Sequence, residues 1–318
     1  MIIDRLDVGH EVRAALAEGR AVVALESTLI SHGLPYPKNL EVATASEAAV
    51  RASGAIPATI AVHGGRLLVG LDGAALSALA TAPTGSVRKA ARPTLAAALA
   101  DGGWAATTVS ATMMAAHAAG ISVFATGGIG GVHRGALGGV APTFDISSDL
   151  EELGRTPMAV VCAGPKAILD VPATLEYLET RGVPVIALGQ ADLPGFYARS
   201  AGIPAPMSAP DVAATAEIVA VHLRVGSGGV LVCVPVPEAD ALPGEVMREA
   251  VDRATAEAAA ARVAGPALTP WLLGRIATLT DGASVRANTA LIVNDAAVAG
   301  ALAMALAVSL AATTRPPV

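Results

Sequence analysis

The sequence predicts an α/β protein: a single α/β/α layered domain with a mainly parallel sheet and a small inserted β-hairpin. Three observations lead there. The runs Ala21–Leu25, Ile121–Ala125, Met158–Cys162, Val183–Leu188 and Gly229–Val234 are short, rich in aliphatic side chains and without polar alternation, as strands buried on both faces are. Segments with helical spacing separate them, with no composition break or long linker, which favours one sheet covered by helices. TIAVHGG and RLLVGL, either side of Gly64-Gly65, have the form of a hairpin.

In chain order, Asp7–Glu18 has apolar residues at helical spacing and stops at Gly19. The strand Ala21–Leu25 runs into Glu26-Ser27-Thr28. A carboxylate at the end of a buried strand suits acid–base chemistry, and the same three residues would also suit a helix N-terminus. Helices are expected at Asn39–Ser53, Leu76–Ala80, Pro93–Ala100, Ala111–Ala119, Pro172–Arg181, Asp211–Leu223, Gly244–Val263 and Thr269–Leu279, with a last long one after Asp281-Gly282. His63, beside the hairpin turn, reads as structural.

The stretch from Thr107 to Asp170 organises the rest. Two of its strands emit candidate chemistry from their C-terminal ends, where open α/β sheets bind ligands. The first delivers Gly127-Gly128-Ile129-Gly130-Gly131-Val132-His133, the second Ala163-Gly164-Pro165-Lys166, and Asp145-Ile146-Ser147-Ser148-Asp149 lies between. The glycine run lacks a Walker A pattern and fits GxGxxG poorly, although its amides could hold a phosphate or carboxylate. Of the 21 basic residues only Lys38, Lys89 and Lys166 are lysine. Arginine cannot form an imine whereas a desolvated lysine can, so Lys166 is the leading candidate nucleophile. Lys89 is second, near a helix start that would favour an anion; a plain surface charge is the other reading. Lysine, strand-end glutamate, second cation, aspartates and glycine loop together suit imine chemistry on a small phosphorylated aldehyde or ketose.

Composition narrows the alternatives. A net charge of −6 and a pI near 5.5, with no basic tract, argue against nucleic-acid partners. Cys162 and Cys233 sit in apolar runs and read as buried thiols of a reducing compartment. The N-terminal segment carries acids and lacks a signal peptide's apolar core. The longest uncharged apolar run, Ala296–Ala312, is alanine-rich and short of the roughly 20 residues of a spanning helix, so it reads as a buried helix. A soluble cytoplasmic protein without membrane partners is expected, its domain covering 1–318 with a short flexible tail at about 313–318.

ALESTLISHGLPYP, TTVSATM, FATGGIGGVHRGA, DISSDL, VVCAGPKAILD, TLEYLETRGVPV, TPWLL and ASVRANTALIVNDA occur in this order over nearly the whole chain. Together they resemble the pseudouridine-5′-phosphate glycosidase family. The resemblance implies an α/β/α fold in a homotrimer. It also implies reversible cleavage of the C–C glycosidic bond of pseudouridine 5′-phosphate to uracil and ribose 5-phosphate, in the hydro-lyase class, with a divalent metal, usually Mn²⁺. By the same resemblance Lys166 forms the imine with C1′ of the opened sugar and Glu26 donates a proton. Lys89, Val109, Ser147, Ser148, Asp149, His133 and Asn288 contact substrate, Asn288 on the uracil edge, and Asp145 holds the metal. KAARPTL at 89–95 departs from the family's usual KVSRRDL, the 135–142 loop is longer than usual, and no kinase domain of the kind fused to some relatives is expected. Another Schiff-base lyase or aldolase on a phosphosugar would keep Lys166 without a uracil pocket, and a non-catalytic binding homologue would need neither.

Overall fold

The computed structural model describes residues 2–83, 85–138, 142–226, 228–263 and 265–313. The tail expected at 313–318 lies, from 314 onward, outside the described residues, as does the 139–141 part of the 135–142 loop.

Among the described residues eleven strands form one sheet: β1 (Leu6–Val8), β2 (Val22–Leu25), β3 (Ile56–His63), β4 (Arg66–Val69), β5 (Arg88–Ala90), β6 (Ala105–Thr107), β7 (Val123–Ala125), β8 (Ala159–Cys162), β9 (Val185–Leu188), β10 (Met207–Ala209) and β11 (Val230–Cys233). The order is β1-β4-β3-β2-β7-β8-β11-β9-β10, with β6 on β3 and β5 on β6. β3 pairs antiparallel with β4 and β6; the other pairings are parallel. The expected hairpin is β3–β4, closed opposite His63 and Arg66 by Gly64 and Gly65 at φ +59° and +72°, a region only glycine enters without strain.

The helices are α1 (His10–Ala17), α2 (Lys38–Ala52), α3 (Gly73–Ala80), α4 (Leu95–Asp101), α5 (Val109–Ala118), α6 (Ser148–Leu153), α7 (Val171–Thr180), α8 (Val212–Val225), α9 (Gly244–Ala260), α10 (Leu268–Leu279) and α11 (Ala283–Thr313). Successive strand residues serve opposite faces of the sheet. Val22, Ala24, Phe124, Val160 and Cys162 pack with α1, α4, α5, α6 and α7. Val23, Leu25, Val123, Ala125 and Val161 pack with α2, α8 and α11. Each large side chain fully buried in these layers contributes about 1.5–3 kcal/mol, and this two-sided burial is why the strands read as unbroken apolar runs.

α11 contains the apolar run expected to be a buried helix. Among the described residues it is the one helix long and apolar enough to cross a membrane, but Ala296, Ala299, Leu302 and Leu306 are buried in the core beside strand residues Val23, Leu25 and Val161.

The helix expected at Asp7–Glu18 begins only at His10. Leu6–Val8 instead pairs with β4, its exposed Asp7 between two half-buried apolar residues. β5, β6 and β10, three residues each, were not expected, and Lys89 lies on β5 rather than at a helix start.

Where β3 passes from β2 to β6, a buried hydroxyl cluster ties the sheet together. Ser27 and Thr107 both donate to Ile60 O, at 2.6 and 2.7 Å, and Thr112 donates to Thr107 at 2.9 Å. These bonds satisfy groups that would be costly to bury unpaired, and they fix the β2 end from which Glu26 projects.

Candidate active site

β2, β7 and β8 lie side by side and parallel, in the registers Leu25↔Ala125 and Ala125↔Val161. Their C-terminal ends therefore open at one place, next to the N-termini of α5 and α6 and beside β5. There the structure has a cavity of about 320 Å³. Nine of the ten residues singled out in the sequence line it: Glu26, Lys89, Val109, His133, Asp145, Ser147, Ser148, Asp149 and Lys166. Asn288 does not; it is half-buried on α11 and outside the lining. Thr28, Thr108 and Thr269, not singled out in the sequence, also line it. Two larger cavities, of about 400 and 990 Å³, contain none of the ten.

Lys166 is held by its backbone. Its N–H donates to Ile129 O at 3.1 Å, and Ile129 N–H donates to Gly164 O at 3.2 Å. These bonds continue the β7–β8 pairing beyond the strands as a parallel bridge between Ile129 and Pro165. The glycine run is thus a brace for the lysine segment. Its amides serve the fold: Gly130 N–H donates to Asp149 Oδ2 at 3.0 Å and Val132 N–H to Thr174 Oγ1 at 3.0 Å. The carboxylate that the run holds is the protein's own.

Asp149 uses its other oxygen as well. Oδ1 accepts from Ser110 N–H at 3.0 Å, so one buried carboxylate joins the start of α5 to the glycine run. Gly130 must be small for this: a Cβ there would stand 2.3 Å from Ser147 Oγ and 2.9 Å from Asp149 Oδ2.

Glu26 lies next to Thr126, whose hydroxyl donates to Glu26 Oε1. Burial pushes the Glu26 carboxyl above the usual carboxylate range, opposed by the charge of Lys166, the Thr126 hydrogen bond and Lys89. A carboxyl that keeps its proton to higher pH is suited to donate it. Burial, then the like charge of Lys166, lowers Lys89; Glu26 and Asp149 act against this. Burial also lowers His133, with Asp145 opposing and Lys166 assisting. The third lysine, Lys38, pairs with Glu41 on the surface at 3.3 Å, so two of the three lysines serve the cavity.

The KAARPTL segment is anchored despite its departure from the family pattern. Arg92 pairs with the buried Glu152, Arg92 N–H donates to Ser110 Oγ at 3.1 Å, and Thr94 Oγ1 donates to Lys89 O at 3.2 Å. These contacts fix Lys89 relative to α5 and α6. His63 stacks on Trp104, centroids 4.2 Å apart, away from the cavity.

Among the described residues no group of three or more His, Cys, Asp or Glu side chains could cage a metal. Asp145 presents a single carboxylate to the cavity, and His133, whose N–H donates to Asp145 O at 3.0 Å, lies beside it. One hard oxygen ligand in an open cavity fits a divalent ion that keeps most of its water.

Residues 11–305 match the family described as indigoidine synthase A-like protein. A protein of Paracoccus denitrificans named pseudouridine-5′-phosphate glycosidase is 54% identical over 298 residues, covering 93% of this chain and 97% of its own. Another of the same name, from Chloroflexus aurantiacus, is 52% identical over 303 residues, covering 94% and 98%. Among solved structures, the prealnumycin C-glycosynthase AlnA in complex with ribulose 5-phosphate superposes with a TM-score of 0.88 at 39% identity, covering 96% of this chain and 98% of that one. An indigoidine synthase A-like protein from Thermotoga maritima gives 0.81 at 30%, covering 91% and 94%.

Proposed function

This chain belongs to the indigoidine synthase A-like family, and from that premise we propose that it reversibly cleaves the C–C glycosidic bond of pseudouridine 5′-phosphate, giving uracil and ribose 5-phosphate. The observation that carries the reading is the meeting of Lys166, Glu26, Lys89 and Asp145 in one cavity, in a chain 54% identical to a protein named for that substrate.

A bond from C1′ to a uracil carbon lacks the acetal oxygen that two-carboxylate glycosidases protonate. An imine supplies the missing electron sink. Lys166 Nζ bonds to C1′ as the C1′–O4′ bond breaks, and Glu26 gives O4′ its proton. The secondary ammonium on Nζ gives up a proton and uracil C5 takes one up; the C1′–C5 bond then breaks with its electron pair remaining on the base as the freed nitrogen lone pair forms C=N. Water hydrolyses the imine, releasing ribose 5-phosphate and restoring Lys166. The reverse reaction expels that water, which makes the enzyme a hydro-lyase.

Lys89 and the Ser147–Ser148 hydroxyls face the same space and supply charge and donors for an anionic sugar phosphate. Asp145 would hold Mn²⁺, which would supply positive charge beside the anionic substrate. The homotrimer rests on the family resemblance, and the cytoplasmic location on Cys162 and Cys233, which read as thiols of a reducing compartment.

The test is borohydride reduction in the presence of ribose 5-phosphate followed by peptide mass spectrometry. A reduced pentose-phosphate adduct on Lys166, altered by uracil, is the expected result. Binding of the sugar phosphate without any adduct would sink the imine step, and an adduct on Lys89 would reverse the two lysines' roles.

A further inference from the structure

Glu26 and Thr126 are neighbours by construction. β2 and β7 pair in the register Leu25↔Ala125, so the next residue on each strand stands beside the other. Thr126 N–H is engaged with Val161 O at 3.0 Å, which ties the residue to β8 on its far side. Its side chain is 4% exposed, it does not line the cavity, and its hydroxyl donates to Glu26 Oε1. Glu26 is the lining residue; Thr126 stands behind it.

We infer that Thr126 is a positioning residue for Glu26: its hydroxyl holds Oε1, so the proton that Glu26 donates is carried by Oε2. This rests on the reading of Glu26 as the proton donor. The chemistry follows from the acceptor count. An oxygen already accepting a hydrogen bond is the carbonyl-like oxygen of the acid form, which leaves the O–H to its partner. The same bond stabilises the carboxylate and so opposes the burial that raises Glu26. Thr126 therefore sets both the orientation of the acid and the pH at which it is spent.

Thr126→Val keeps the shape and removes the hydroxyl; Thr126→Ser keeps the hydroxyl. The expected result for Thr126→Val, assayed as uracil release from pseudouridine 5′-phosphate, is a basic limb of the kcat–pH profile moved up by about one pH unit. kcat should also fall about tenfold with KM little changed, and Thr126→Ser should restore both. Thr126→Ala carries the same test if the valine variant does not fold. If Glu26→Gln is inactive and the Thr126→Val limb superimposes on wild type, or Thr126→Ser behaves like Thr126→Val, the inference is overturned and the reading of Glu26 stands. A fully active Glu26→Gln overturns both.

Discussion

The positive charge of Lys166 opposes the burial that raises the carboxyl of Glu26, across the one strand, β7, that separates them in the sheet. Acid and candidate nucleophile are thus electrostatically linked, and substitutions at one position act on the other.

Lys166→Arg separates charge from nucleophilicity. Arginine keeps the charge that Glu26 feels but cannot form the imine. Turnover should fall by on the order of 10³-fold or more, with no borohydride-trapped adduct, while ribose 5-phosphate binding measured by calorimetry persists. Appreciable turnover in this variant would exclude the imine route.

Asp145→Asn tests the metal proposal. Chelation by EDTA should abolish wild-type activity and added Mn²⁺ should restore it, whereas the variant should need at least about tenfold more Mn²⁺ for half-maximal restoration. Activity indifferent to EDTA in the wild type would remove the metal from the reaction.

Asp295 has no exposed surface, and among the described residues neither carboxyl oxygen has a hydrogen-bond partner. Burial first, and then nearby Cys162, push its pKa well above the ordinary value, with the neighbouring backbone N–H of Ala163 opposing them. The sign follows from linkage. The unfolded chain ionises from about pH 4 while the folded chain keeps the proton, so stability is lost as pH rises from about 4 towards the folded pKa. Asp295→Asn removes that loss. It should be more stable than wild type at pH 7 by roughly 2 kcal/mol, and the gap should close near pH 4. Denaturant melts at the two pH values measure it; a gap independent of pH would contradict the account.

Gly130→Ala drives a methyl into Ser147 and Asp149. A loss of about 1–3 kcal/mol is expected, with KM raised because Ser147, Ser148 and Asp149 all line the cavity. Thermal melting and steady-state kinetics would reveal it; unchanged values in both would mean the turn relaxes freely.

The central strands were legible because burial on both faces leaves an unbroken apolar run, and the hairpin because Gly64-Gly65 has one structural use. β5 was not legible. Arg88 faces solvent, Lys89 opens onto the cavity and only Ala90 lies in the core, so three residues carry no periodic signal. β1 was absorbed in part into the following helix, expected from Asp7, because Val8 stands four residues before Val12, a helical spacing. At the site, Lys166 could be found from the scarcity of lysine and its place after a strand, and most lining residues from the family resemblance. Thr126 lies inside the FATGGIGGVHRGA block but takes no role from it, since a lone threonine before glycines resembles any strand end. Only the β2–β7 register, a contact across 100 residues, brings it to Glu26. Asn288 illustrates the converse: a motif match fixes its helix but not its place in the cavity wall.

Cys162 and Cys233 stand opposite each other on β8 and β11, both without exposed surface, and they are the two cysteines of the chain. Cys162 is four residues before Lys166, and its sulfur accepts from Gly164 N–H at 3.3 Å. A thiol reagent can therefore label this protein only when the centre of the sheet parts. The alkylation rate becomes a built-in gauge of how often that happens, and a ligand that clamps the lysine segment would slow it, so occupancy of the candidate cavity could be followed without any turnover.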